Sequence, residues 1–511
     1  MGERGLDRRG FIRATAVGLV GGCTVLRRGD SWARGMTGGS GCGAGTTIID
    51  PPPGAPFADP PVLLNESAQP GVVEVSIEAR VAPVSVNGVT ANLLTYNGTY
   101  PAPTIRARRG DLLRVRLSNS LAMLGTNILG HDRDITNLHT HGLHVSPSGN
   151  ADNMMVMLMS GESFAYEYDL AFQEPGSINF YHPHIHGSVA EQYWGGMAGA
   201  LEIEDGQTAL AGYETHLLFL KDITLSGGAP APYTSLMDYM HGKEGGTVLV
   251  NGQVNPVLGI RPGQVQRWRI INASNARFYK LQLEGHQLHV VGTEGGALDR
   301  PYPVSSLLLS PGERADVLVR ANQRAASYRL LALPYDRGCG SSGTQQVTLM
   351  TVPYRGGRTS DTLPSQVNPL ASRISPPVAK TERLALSMGM GRGFINGISF
   401  EMLADGTMRA AEIHSMLGTF EVWDVVNDSG MDHPFHQHVN PCQVLAMGGA
   451  DAGYAALYTA APAWKDVVLI PKRGWARLLV PVADYDGMAM FHCHIVEHED
   501  IGMMGLWHIM A

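Results

Sequence analysis

Charge and aromatic rings are scarce in this 511-residue chain: 16% of residues are charged and 7% are aromatic, against 44% apolar. The formal charge of −8 is spread along the sequence, with no basic run and no basic-aromatic interleaving. That excludes the electrostatic footprint of a nucleic-acid binder. No apolar stretch approaches the roughly 20 residues a membrane-spanning helix needs. Long helical periodicities are also missing, whereas Gly (62) and Pro (31) are plentiful. This is the composition of a turn-rich β protein, long enough for about three domains at roughly 150 residues each. Cysteines number only five: Cys23, Cys42, Cys339, Cys442 and Cys493. With Cys23 and Cys493 set aside for the reasons below, three are left, too few and too odd for a disulfide framework. One bridge among Cys42, Cys339 and Cys442 stays open.

The first 34 residues predict an export signal. Asp7-Arg8-Arg9-Gly10-Phe11-Ile12 is a twin-arginine pattern, followed by the short apolar run Ala14 to Val20, and such signals carry folded, often cofactor-loaded proteins out of the cytoplasm. The expected location is periplasmic or at the cell surface. Val20-Gly21-Gly22-Cys23 resembles a lipoprotein cleavage box, which would leave Cys23 as a lipid anchor. Residues 35–64, with Pro51-Pro52-Pro53-Gly54, read as a Gly/Pro-rich arm or tether.

Beyond the arm one pattern occurs three times. Gly110 to Asn119, Gly263 to Asn272 and Gly418 to Asn427 each run from Gly through an alternating strand to Asn. In each copy the Asn lies nine positions after the Gly, and successive copies lie 153 and 155 residues apart. An Asn-Gly turn precedes each: Asn97-Gly98, Asn251-Gly252 and Asn396-Gly397, which are hairpin signals. The period is too long for a solenoid. It predicts an all-β protein of three tandem Greek-key sandwich domains at 65–205, 206–354 and 382–511, with 355–381 as linker before the third.

Histidine is the anomaly, with 19 copies. Four clusters stand out: His139-Thr140-His141, His182-Pro183-His184, His433-Pro434-Phe435-His436-Gln437-His438, and His492-Cys493-His494 with His498 and Met503. A Cys thiolate, imidazoles and a weak axial Met are the ligands of a blue-copper electron-transfer site. In a strand, His492 and His494 point to the opposite face from Cys493, so they serve a second metal site wired to the first through one cysteine. The clusters fall in the first and third domains. The second, at the comparable Ser327 to Leu331, carries none and reads as a spacer. The nine other histidines read as structural or surface residues.

The four clusters resemble the copper-binding signatures of the multicopper oxidases, the family of laccases, ascorbate oxidase and bacterial cuprous oxidases. The resemblance runs from about Val73 to the C-terminus and implies cupredoxin domains and four coppers. It implies that His433, Cys493 and His498 bind a type 1 copper with Met503 axial, and that His139 and His436 bind a type 2 copper. His141, His182, His184, His438, His492 and His494 would bind a type 3 pair, at the interface of domains 1 and 3. Asp152 and Glu499 resemble the acids that relay protons near the type 2 copper and the type 3 pair. The implied reaction takes four single electrons from a donor and reduces dioxygen to two waters. Met154-Met155-Val156-Met157-Leu158-Met159 reads as a buried strand filled with Met, and the 355–381 linker has no Met. Phenols and aromatic amines are therefore the expected donors, as in laccases, with Cu(I) or another metal ion as the alternative. An electron carrier or copper store would leave most of the histidines, or the Cys-to-His wiring, without a use.

Overall fold

Each of the three repeats becomes an inner strand of its own sandwich. A computed structural model describes residues 48–511 except 205, 207, 208, 341–343, 404 and 405. The export motif, Cys23 and Cys42 lie outside the described residues. The repeats form the strands Leu112–Asn119, Val265–Asn272 and Thr419–Asn427. Each runs parallel to the first long strand of its domain, Val72–Val86, Glu214–Ile223 or Lys380–Gly389. Each is antiparallel to a second neighbour, Ser163–Asp169, Arg314–Arg320 or Trp475–Val482. A second sheet covers each of these, giving four on four strands, six on four, and five on five.

The Asn that closes each repeat has a structural duty. Asn119 Oδ1 accepts the Leu121 N–H at 3.0 Å, while its Nδ2 donates to the Asp134 and Leu158 carbonyls. Asn272 does the same with Ser274, Arg277 and Leu309, and Asn427 with Ser429, Met431 and Ile470. A buried Asx turn thus ends the strand and ties two loops to it. The Asn-Gly pairs have positive φ at both residues, 55° and 73° at Asn97 and Gly98, for example. These are the two-residue turns that match strand twist.

Residues 48–64 are no free tether. Their extended, proline-rich backbone makes no helix or sheet of its own. It pairs instead with the body: Phe57 N–H donates to the Val257 carbonyl, Leu63 N–H to Thr104, and Asp59 accepts from Leu217 N–H. The third domain's first strand starts at Lys380. Cys339 is disulfide-bonded, whereas Cys442 and Cys493 are free and buried, so Cys442 drops out of the candidate bridge.

The expected Met-filled strand at 154–159 does not form. Asn153 Oδ1 accepts the Met155 N–H and its carbonyl accepts the Val156 N–H, and this turn breaks the extended run. Met155, Met157 and Met159 are 38%, 48% and 47% exposed.

Candidate metal centre

Two antiparallel pairings bring the clusters into register. In the first domain His139 stands opposite His182 and His141 opposite Phe180. In the third, Phe435 stands opposite Cys493 and His436 opposite His492. Alternation then sorts the side chains onto two faces. Ala489, Phe491 and Cys493 enter the core of the third domain, and His492 faces the first domain.

On the core side, Cys493 Sγ lies 3.4 Å from His433 Nδ1 and 3.5 Å from His498 Nδ1, and those two nitrogens are 3.2 Å apart. His498 returns to Cys493 through the short helix Val496–Asp500. The loop closes where Met503 N–H donates to the His498 carbonyl and Cys493 N–H to the Met503 carbonyl. Met503 is fully buried against Gly393, where an added Cβ would sit 2.6 Å from the Met503 Cβ. Gly502 (φ 100°) makes the turn, and a Cβ there would strike Ser399 Oγ.

On the other face, histidines from the first and third domains interleave. His139 Nε2 is 3.4 Å from His436 Nε2. His492 Nε2 is 3.2 Å from both His184 Nε2 and His438 Nε2. His141 Nδ1 is 3.5 Å from His182 Nε2, and the His494 ring centre lies 4.7 Å from that of His141. Every sequence-predicted histidine ligand and Cys493 are buried and in one of these two pockets, and Met503 is buried as well.

The outer nitrogens are held in turn. His139 Nδ1 donates to Asp152 at 2.9 Å, and Asp152 also accepts from Thr140 N–H. Glu499, fully buried, lies 3.4 Å from His184 Nδ1 and 3.2 Å from His492 Nδ1, at ion-pair distance without hydrogen-bond angles. Burial, reinforced by Asp500, pushes its acid well above the usual carboxylate range. Three holders escaped the sequence reading. Asp466 accepts from His141 Nε2 at 3.0 Å, offers its carbonyl to His436 Nδ1, and is itself gripped by Arg314 of the second domain at 2.5 and 2.6 Å. Ser429 Oγ is 2.7 Å from His433 Nε2. The Met240 carbonyl, on the helix Leu236–His241, is 3.3 Å from His498 Nε2. Among its described residues the second domain supplies no candidate ligand, but it is more than a spacer. Arg314 and Met240 come from segments 150 or more residues away from what they hold, so no local motif announces them. Ser429 follows from the Asx turn at Asn427.

Burial, and for most rings the neighbouring imidazoles, lowers the pKa of nine of the ten histidines, to about 3 at His182 and His433. The pockets are therefore built for neutral imidazoles, the metal-binding form.

Three sequence-family profiles, each described as multicopper oxidase, match residues 78–208, 216–357 and 376–510. The chain belongs to the multicopper oxidases. It is 27% identical over 428 residues to a multicopper oxidase of Staphylococcus aureus, covering 82% of this chain and 84% of that one. It is 26% identical over 487 residues to a laccase of Bacillus stratosphericus, covering 84% and 93%. Among solved structures it matches a Campylobacter jejuni multicopper oxidase described as a metallo-oxidase, with TM-score 0.78 and 27% identity over 92% of this chain and 98% of that one. As a multicopper oxidase it is a copper-dependent oxidoreductase with dioxygen as acceptor. Its residues fit the metal. Both ring nitrogens of buried His494 lack any hydrogen bond, a costly state unless a metal takes one. The donors, imidazoles throughout with one thiol in the core-side pocket, are those copper prefers.

Proposed function

We propose that this multicopper oxidase holds four coppers and couples four one-electron oxidations to the reduction of dioxygen to two waters, with Cu(I) as its donor. In this reading His433, Cys493, His498 and Met503 would hold the type 1 copper. His139 and His436 hold the type 2 copper, and His141, His182, His184, His438, His492 and His494 hold the type 3 pair. When bound, copper supplies the one-electron couple and the place where dioxygen is reduced. Cys493 joins the two pockets, one peptide bond from His492 on one side and from His494 on the other. Asp152 fixes the His139 ring with Nε2 toward His436, and Asp466 fixes His141 and His436. Glu499 keeps a proton beside His184 and His492, where oxygen reduction consumes protons.

The donor assignment rests on one observation: neither type 1 imidazole has a free edge. His433 Nε2 is taken by Ser429 and His498 Nε2 by the Met240 carbonyl. With both outer ring nitrogens held, no donor hydrogen-bonds a type 1 imidazole directly, so electrons enter across a cover. That cover is the helix Leu236–His241 and the tip of the hairpin Lys380–Ile395, which meet where Gly391 packs on Leu236. It carries Met237, Met240, Met388 and Met390, the last almost fully exposed. Thioethers suit Cu(I). Phenols and aromatic amines are the second reading, supported by exposed Leu236 and Met237 and by the laccase relative. Export by the twin-arginine route, with Cys23 as lipid anchor, belongs to the same proposal and rests on Arg8-Arg9 and the Val20 to Cys23 box alone.

Oxygen uptake separates the donors. In a Met237→Leu, Met240→Leu, Met390→Leu variant, KM for Cu(I) rises while turnover of a phenol is unchanged. An unchanged KM for Cu(I), with slower phenol turnover, would favour the laccase reading.

A further inference from the structure

Away from the type 1 pocket, the seam between the first and third domains holds a cleft of about 130 Å³, lined by Met154, Met155, Met488 and Met490 with Ser148 and Asn153. Two segments more than 300 residues apart converge to place four thioethers there. Its lining has no carboxylate, imidazole or ammonium group, so it offers no charged partner to hard cations or anions. Met490 belongs to a small apolar cluster with Met504 and Leu506, but the rest of the lining is not core filling. Met155 is 38% exposed, and Met154 and Met488 are only partly buried. Met157 and Met159 continue the thioethers outward on the same loop, and Met408 and Met504 pack beside them.

The position of the cleft gives it a use. On the strand Gly487–Cys493, Met488 and Met490 share a face with His492, because the alternate residues Ala489, Phe491 and Cys493 enter the core. Each such step is about 7 Å. On the other wall, Met154 is two residues beyond Asp152, which holds His139. Each wall thus continues along the chain to a residue of the histidine pocket or its holder, His492 on one side and Asp152 on the other. We propose that this cleft binds Cu(I) and is the entry through which copper is loaded into the histidine pocket. The site is separate from the donor surface over Cys493, and its loading role rests on the histidine pocket being a copper site.

Ag(I), a redox-inactive soft cation, tests the binding directly. Copper-loaded protein is dialysed against Ag(I), alongside a Met154→Leu, Met155→Leu, Met488→Leu variant that keeps volume and apolarity. The variant binds one Ag(I) fewer, whereas a Met237→Leu, Met390→Leu variant keeps that equivalent. Copper-free cleft variant also refills its histidine pocket from Cu(I) more slowly, to the same final copper content. Equal Ag(I) uptake by the cleft variant overturns the site, and refilling at the native rate overturns the entry role. In native protein the Met154, Met155 and Met488 methyl resonances shift on adding Ag(I). Their staying in place overturns the site however well the variant folds.

Discussion

Asp152 and Glu499 are both buried acids beside the histidine pocket, yet their surroundings give them different work. Asp152 accepts hydrogen bonds from His139 and Thr140, which fixes a carboxylate and the ring it holds. Glu499 has no hydrogen-bond donor of its own, and burial keeps its proton on. Glu499→Gln preserves shape and removes the transferable proton. It should slow dioxygen reduction roughly a hundredfold, the range for loss of a positioned acid. Anaerobic reduction of the type 1 copper by the donor should stay unchanged. A variant with native oxygen uptake would remove Glu499 from the proton supply. The candidate ligands and both acids that the fold brings together were legible in the sequence because a ligand's chemistry travels with its side chain and its neighbours in the motif. Ser429, Asp466, Arg314 and the Met240 carbonyl were not. Their residue types are ordinary, and only the fold brings them to the imidazoles.

At the scale of elements, the hairpin Lys380–Ile395 and the helix Leu236–His241 lie over the pocket of His433, Cys493 and His498. Gly393 lets the hairpin lie on Met503. Gly393→Ala should push Met503 away, costing about 1–3 kcal/mol by overpacking and shifting the blue absorption band. A native spectrum would show that Met503 is not axial. The Gly-to-Asn repeats were readable because a strand alternates and an Asx turn needs Asn. The loop at Met154 misled for a similar reason. Alternating Met residues mimic a strand, and the Asn153 turn that breaks it depends on side-chain hydrogen bonds. The helix Leu236–His241 is short and hidden in the second domain. Nothing in the sequence alone therefore signalled that the outer nitrogens of His433 and His498 are both capped.

At the scale of the whole molecule, the interface between the first and third domains is lined with neutral imidazoles. Their folded pKa values are lowered, so below about 6.5, the usual histidine value, the unfolded chain takes up more protons than the folded one. The histidine contribution to the stability of the copper-free protein should therefore be flat above about pH 6.5 and fall as pH drops toward about 3, the folded value at His182 and His433. Thermal unfolding followed against pH checks this, and a midpoint that does not fall between about pH 6.5 and pH 4 would contradict it. Bound copper, which competes with those protons, should raise the midpoint most near neutrality. The central claim is that one cysteine links an electron-collecting site to an oxygen-reducing one. The measurement is the visible spectrum of copper-loaded protein together with oxygen and peroxide recorded during turnover, for the native chain and for Cys493→Ser. The account predicts an intense blue native protein that consumes one dioxygen per four donor electrons without peroxide, and a colourless, inactive Cys493→Ser. A blue protein that takes up no oxygen, or a Cys493→Ser variant that keeps turning over, would contradict it.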